Sequence, residues 1–94
     1  MKKQSAAAVV ISEQDNVATA TRELKTGEMI AIKVADKEYR LSLKNDIRFL
    51  HKFALRDIRK GEPLLKYGMV MGEATRDIAR GEHVHTHNVR SLRS

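Results

Sequence analysis

The sequence predicts a mainly β domain with short helical turns and no long helix, and three observations lead there. Met29 to Val34 is rich in β-branched and apolar residues, and Tyr39 to Leu43 alternates apolar with polar, so both read as strands. One nine-residue phrase recurs at Ala20 to Glu28, Ala54 to Glu62 and Ala74 to Glu82, with Ala, Arg, an acid, Ile or Leu, Gly and Glu in register. The segment after each glycine of the phrase is strand-like: Met29 to Val34, Leu64 to Tyr67 and Val84 to Asn88.

The phrase has a simple mechanical reading. Its Ala and Ile or Leu stand four apart and share a face if the segment makes a turn or two of helix, while the Arg and the acid point to water. Gly27, Gly61 and Gly81 then fall where a short helix stops, a position that favours the residue without a Cβ. Each copy would be a turn of helix feeding a strand. Such punctuation specifies architecture before activity.

Taken in order, residues 1–7 form a flexible leader, 8–90 one domain and 91–94 a flexible tail. Met1-Lys2-Lys3 and the apolar run after it imitate a signal peptide, but the run is short and meets Glu13 and Asp15 at once. Ala8 to Ile11 reads as a strand and Ser12 to Asn16 as a polar turn. Asp15-Asn16-Val17 enters the first phrase either as a strand or as a capped helix start. Asp36-Lys37-Glu38 is the expected hairpin turn between the two clear strands, and Lys44 to Arg48 is a polar break. Phe49 to Phe53 leads into the second phrase, and Leu64 to Tyr67 is a strand ending at Gly68. Met69-Val70-Met71-Gly72 links it to the third phrase, its glycines suggesting close turns or a bulge and its methionines core filling.

Composition narrows the function classes. With 94 residues the chain makes one domain with a modest core, and an active site on so small a body usually needs a partner to finish it. The hydrophobic fraction of 41% argues against wholesale disorder. A net charge of +6 invites a nucleic-acid reading, but acids interleave with the bases and the two Phe and two Tyr make no base-stacking pattern, so nucleic acid is disfavoured. A small anion or an acidic partner accounts for the charge equally well. No cysteine means no disulfide, thiolate site or thiol nucleophile, which suits a cytoplasmic location. No run approaches the ~20 apolar residues of a membrane span.

Only the third phrase continues into His83-Val84-His85-Thr86-His87-Asn88. As a strand this places His83, His85 and His87 on one face, about 6.7 Å apart, so that one adjacent pair could converge on an ion while all three could not easily do so. A polar strand face in water, or histidines satisfied by carboxylates, is the competing reading of so short a pattern.

In chain order, Asp15-Asn16-Val17-Ala18, His51-Lys52-Phe53-Ala54-Leu55-Arg56-Asp57-Ile58, Lys66-Tyr67-Gly68, Gly72-Glu73-Ala74-Thr75 and Gly81 to Asn88 together resemble the small SAF-type domain of the altronate and galactarate dehydratase family. The likeness runs from about Val9 to Asn88. It implies a β-clip fold working with a large dehydratase domain, fused or as a separate subunit, and the chain is then a small subunit or an N-terminal domain, inactive alone and open to homo-oligomerisation. The family dehydrates sugar acids, and a sulfolactate sulfo-lyase has a related small subunit; a divalent metal, commonly iron(II), accompanies the dehydratases.

On that resemblance His51, His85 and His87 are the candidate catalytic residues and the candidate metal ligands, Lys52 and Lys66 would hold a substrate carboxylate, and Asn88 would orient a hydroxyl or a histidine. A noncatalytic module that binds a carbohydrate acid or assembles a partner is the other class of reading. One departure stands out: Leu50 and Arg48 occupy places where the family usually has a glycine and often a proline. Leucine does not readily take a positive φ or allow the close backbone approach of a glycine, so the resemblance implies a substrate contact around His51 that differs from the family's.

Overall fold

Alternating burial turns the sequence into nine short strands, with no helix among residues 7–91, the part described by the computed structural model. The leader, apart from Ala7, and most of the tail lie outside the described residues. Strands β1 (Ala8–Val9), β2 (Val17–Ala20), β5 (Lys52–Ala54) and β8 (His83–Val84) form one antiparallel sheet in the order β1-β2-β5-β8. Strands β3 (Met29–Val34) and β4 (Lys37–Ser42) make a hairpin. Strands β6 (Pro63–Lys66), β7 (Met69–Ala74) and β9 (Val89–Ser91) make a third sheet. No helix of the described residues is long and apolar enough to cross a membrane.

Period-two geometry lets the central sheet serve two cores. Along β2, Val17 points into a cluster with Ala54, Ile58, Leu64, Ile78 and Val84, and the next residue, Ala18, into one with Leu24, Ile30, Leu41, Ile47 and Phe53. Along β5, Phe53 and Ala54 divide in the same way. Phe53 is the largest fully buried side chain. The β3–β4 hairpin buries Ile30, Ile32 and Val34 and exposes the residues between them.

The expected helical turns are β-turns instead. In each copy the Glu N–H donates to the carbonyl three residues back, at 3.0 Å for Glu28 to Lys25, 2.9 Å for Glu62 to Arg59 and 3.0 Å for Glu82 to Ala79. The glycine is the third turn residue with φ of 87°, 90° and 87°, the left-handed position of a type II turn. The Glu side chain then folds back to accept the N–H of the first turn residue, at 3.0, 2.6 and 2.8 Å. Nor does the acid face only water: Asp57 Oδ1 accepts the Arg80 N–H at 2.9 Å, and Asp77 Oδ1 accepts that of Lys60 at 2.8 Å.

Copies pair two by two. Ile58 and Ile78 exchange backbone hydrogen bonds at 2.8 and 2.7 Å, and Gly61 and Gly81 donate to Ala74 and Ala54. The copy at Ala20 to Glu28 pairs likewise with a fourth unit that the sequence conceals, Leu43 to His51. Leu24 and Ile47 exchange bonds at 2.8 and 2.9 Å, Gly27 donates to Leu43, Leu50 donates to Ala20, and Asp46 Oδ1 accepts the Thr26 N–H. In this unit Leu50 stands at the glycine position with φ 69°, and His51 at the Glu position. The polar break at Lys44 to Arg48 is thus a structured approach, bridged through Ile47, to a turn at Arg48 to His51, and leucine does adopt the positive φ.

Smaller differences arise from pairing. The β3–β4 turn is Ala35–Asp36, so Lys37 and Glu38 belong to β4. The first strand stops at Val9, and Val17 onward is strand, not helix start. Met69 to Ala74 is a strand with a register shift at Leu64/Leu65, and its Met69 and Met71 are 60% and 40% exposed, not core. Gly72 is glycine because a Cβ there would lie 2.6 Å from the Arg90 carbonyl oxygen.

Gly81 shows what the turn demands. A methyl there would overlap the Ser42 carbonyl oxygen at φ 87°. Gly81→Ala is expected to cost about 2–4 kcal/mol, backbone strain plus overpacking, whereas Leu50→Gly should stay within about 1 kcal/mol of the parent. Urea denaturation of the two variants checks the contrast.

A histidine cluster beside a lysine-lined cavity

The site begins with a strand that ends early. Strand β8 contains only His83 and Val84, and residues 85–88 curl into a turn in which the Asn88 N–H donates to the His85 carbonyl at 3.1 Å. Asn88 holds that turn from within: its Oδ1 accepts the His85 N–H and its Nδ2 donates to the His83 carbonyl, both at 2.9 Å. Fully buried, Asn88 therefore presents no surface to a substrate; what it orients is the histidine loop.

The curl and the concealed fourth turn bring together rings from two segments of the chain. His51, at the end of the concealed fourth turn, sets its Nδ1 2.9 Å from His83 Nε2. Its ring stacks at 5.1 Å on that of His83 and at 4.5 Å on that of His85. His83 and His85 are 5.5 Å apart, and His87 lies 5.3 Å from His83 at a 33° tilt. One ring nitrogen from each of His51, His83 and His85 falls within 4.8 Å of the others. The trio brought together is thus His51, His83 and His85, with His87 at its edge and outside the ligand-spaced group.

His83 is within reach of sequence reasoning, since it lies in the same His-x-His run. Asn45, whose Oδ1 accepts the His83 N–H at 2.8 Å, carries no such signal, because its unit has lost the Gly and Glu that mark the others.

Burial lowers the His51 pKa first, and the nearby His85, Arg48 and Lys52 add to it. Burial likewise lowers that of His83, with His51, His87 and His85 behind it. Both shifts favour the neutral rings near neutral pH, one donating its N–H to the lone pair of the other. A 2.9 Å contact between two ring nitrogens also needs one of them unprotonated.

Beside the cluster a cavity of about 330 Å³ is lined by Lys52, Lys66, His85 and Thr86 over a floor that includes Val17 and Leu64. The structure so brings together Lys52, Lys66 and His85, from three strands or turns distant in sequence. Lys52 has its pKa lowered by burial and then by Lys66. Among the described residues no carboxylate lines this cavity, so two ammonium groups face it with hydrophobic walls behind them. Lys66 Nζ also rests 4.8 Å from the centre of the Tyr67 ring.

A family model described as the altronate/galactarate dehydratase SAF domain matches residues 6–92. The chain belongs to that family. Among relatives of this SAF domain, altronate dehydratase from Escherichia coli is 41% identical over 83 residues, covering 88% of this chain and 16% of that protein. Altronate dehydratase from Bacillus subtilis is 38% identical over 84 residues, again covering 88% of this chain and 16% of its own. The (2R)-sulfolactate sulfo-lyase subunit alpha from Chromohalobacter salexigens is 35% identical over 88 residues, covering 90% of this chain and 94% of that subunit. The SAF domain thus spans about a sixth of the altronate dehydratases and nearly the whole of a subunit whose name implies others.

Proposed function

We propose that this SAF domain is the small subunit, or the N-terminal domain, of a hydro-lyase acting on a sugar acid, completed by a large dehydratase component. One observation carries the reading: three clustered imidazoles open beside a cavity where Lys52 and Lys66 converge without a carboxylate.

Each group has a part to play in eliminating water from a 2,3-dihydroxy acid. Lys52 and Lys66 bind the substrate carboxylate, and the apolar floor under them strengthens that attraction by excluding water. His85, shared by cluster and cavity, reaches toward the departing hydroxyl, and with no metal bound the His51–His83 pair can hold or pass one proton behind it. The large component supplies the base for the proton next to the carboxylate.

The donor set suits a divalent metal. Ligand nitrogens around a first-row ion stand about 3 Å apart; these three lie within 4.8 Å of one another, and their stacked rings would have to turn for the in-plane lone pairs to meet on one ion. Neutral imidazoles suit iron, zinc or nickel, and no thiolate competes. Bound there by His51, His83 and His85, iron(II) would supply Lewis acidity to the leaving hydroxyl.

A second reading, a sulfo-lyase of sulfolactate type, is favoured by the 94% coverage of the Chromohalobacter subunit. Lysines that bind a carboxylate serve a sulfonate as well. Assaying the SAF domain with its large component on altronate, galactarate and sulfolactate distinguishes them: release of water or of sulfite names the reaction, and no turnover of any of the three would overturn both.

A further inference from the structure

Four turns of one design occur among the described residues, and only one has lost its design residues. Three have polar-glycine tips, Thr26-Gly27, Lys60-Gly61 and Arg80-Gly81, closed by a glutamate that accepts its own turn's N–H. The fourth reads Phe49-Leu50-His51. Leucine there endures a φ of 69° that its sisters give to glycine, a strain of about 1–2 kcal/mol. Its histidine has left the clamp position to join the cluster. Phe49 and Leu50 stand 58% and 60% exposed, so the strain is not repaid by packing within the domain. Retained strain of this kind beside a reactive cluster marks a functional position.

We infer that the Phe49–Leu50 tip is the anchor on which the large dehydratase component docks, seating that component over the histidines. This rests on the reading under Proposed function and adds the place of contact. The chain covers only 16% of each altronate dehydratase, so most of such an enzyme lies outside this domain and must meet it. Phe49 and His51 line one open cleft of about 350 Å³ with Glu23 and Arg48. A body gripping the tip through that cleft therefore covers the His51 ring, and His51 stacks in turn on His83 and His85. An exposed aromatic and its apolar neighbour, with Glu23 and Arg48 beside them, have the make-up of an apolar interface core with a polar rim.

The sister turns supply the test. Phe49→Thr with Leu50→Gly installs the Thr26-Gly27 tip, which the same backbone already accepts, so the double variant should fold at least as well as the parent. Binding of both forms to the large component, produced as a separate chain, is measured by calorimetry. The expected result is about 100-fold weaker binding of the variant, with unchanged affinity of the isolated domain for Fe(II). Equal binding by both forms would overturn the docking assignment and leave the proposed function standing. No complex with the parent would overturn both. Should the isolated domain dimerise and the variant not, the tip belongs to a second copy and the assignment also falls.

Discussion

Replacing His83 with Ala is expected to lower turnover of the complete enzyme by about 100- to 10,000-fold, against less than tenfold for His87→Ala. The contrast comes from position. The His83 ring is the one that touches His51, His85 and His87 together, and its Nε2 makes the 2.9 Å contact with His51. His87 is exposed, and its ring meets that of His83 and neither of the other two. Neither substitution should unfold the domain, because the backbone of the loop is held by Asn45 and Asn88, not by the rings. Since ligands must be deprotonated and burial lowers the His51 and His83 pKa, metal retention by the cluster should persist below the ordinary imidazole range and fall only at more acid pH. Equal losses at His83 and His87 would mean that turnover does not track this geometry.

The second large effect is structural. Asp15→Ala is expected to cost about 3–5 kcal/mol, a large part of the stability of a domain this size. Asp15 is 3% exposed, and its carboxylate accepts three backbone N–H groups: Ser12 at 3.3 Å, Tyr67 at 3.0 Å and Gly68 at 2.8 Å. It thereby fastens the turn between β6 and β7, which carries Lys66 to the cavity. Beside it Asn16, 1% exposed, donates to the Pro63 carbonyl at 2.9 Å and accepts from the Leu65 N–H at 2.8 Å. Alanine leaves three donors without their partner, while Asp15→Asn keeps an acceptor and should lose about half as much. Thermal melts followed by circular dichroism measure both, and a loss under about 1 kcal/mol for alanine would contradict this account of the pair.

Local pattern makes much of the fold legible. Met29 to Val34 alternates, so its strand is plain, and the recurring phrase announces a repeated unit. The turn inside the phrase escapes a local reading because Ala and Ile four apart suit a helical face and a chain reversal equally. What decides is the exchange between Ile58 and Ile78, a contact of partners that no single copy contains. The fourth unit stays hidden for a related reason: Leu43, Leu50 and His51 replace the Ala, Gly and Glu that identify the others, and only backbone pairing with Ala20 to Glu28 reveals it. The site is half legible. Lys52, Lys66 and His85 line one cavity and His51 stacks on His85, while Asn88 is buried and His87 lies outside the ligand-spaced group because a turn, not a strand, carries the last histidines.

The most direct measurement is anaerobic equilibrium dialysis of the complete enzyme against Fe(II), with the parent and with His51, His83 and His85 all changed to Ala. One equivalent of iron per SAF domain in the parent and none at that site in the triple variant is the predicted result. Iron held equally by both would contradict the claim that these three imidazoles form a metal-binding edge of the active site.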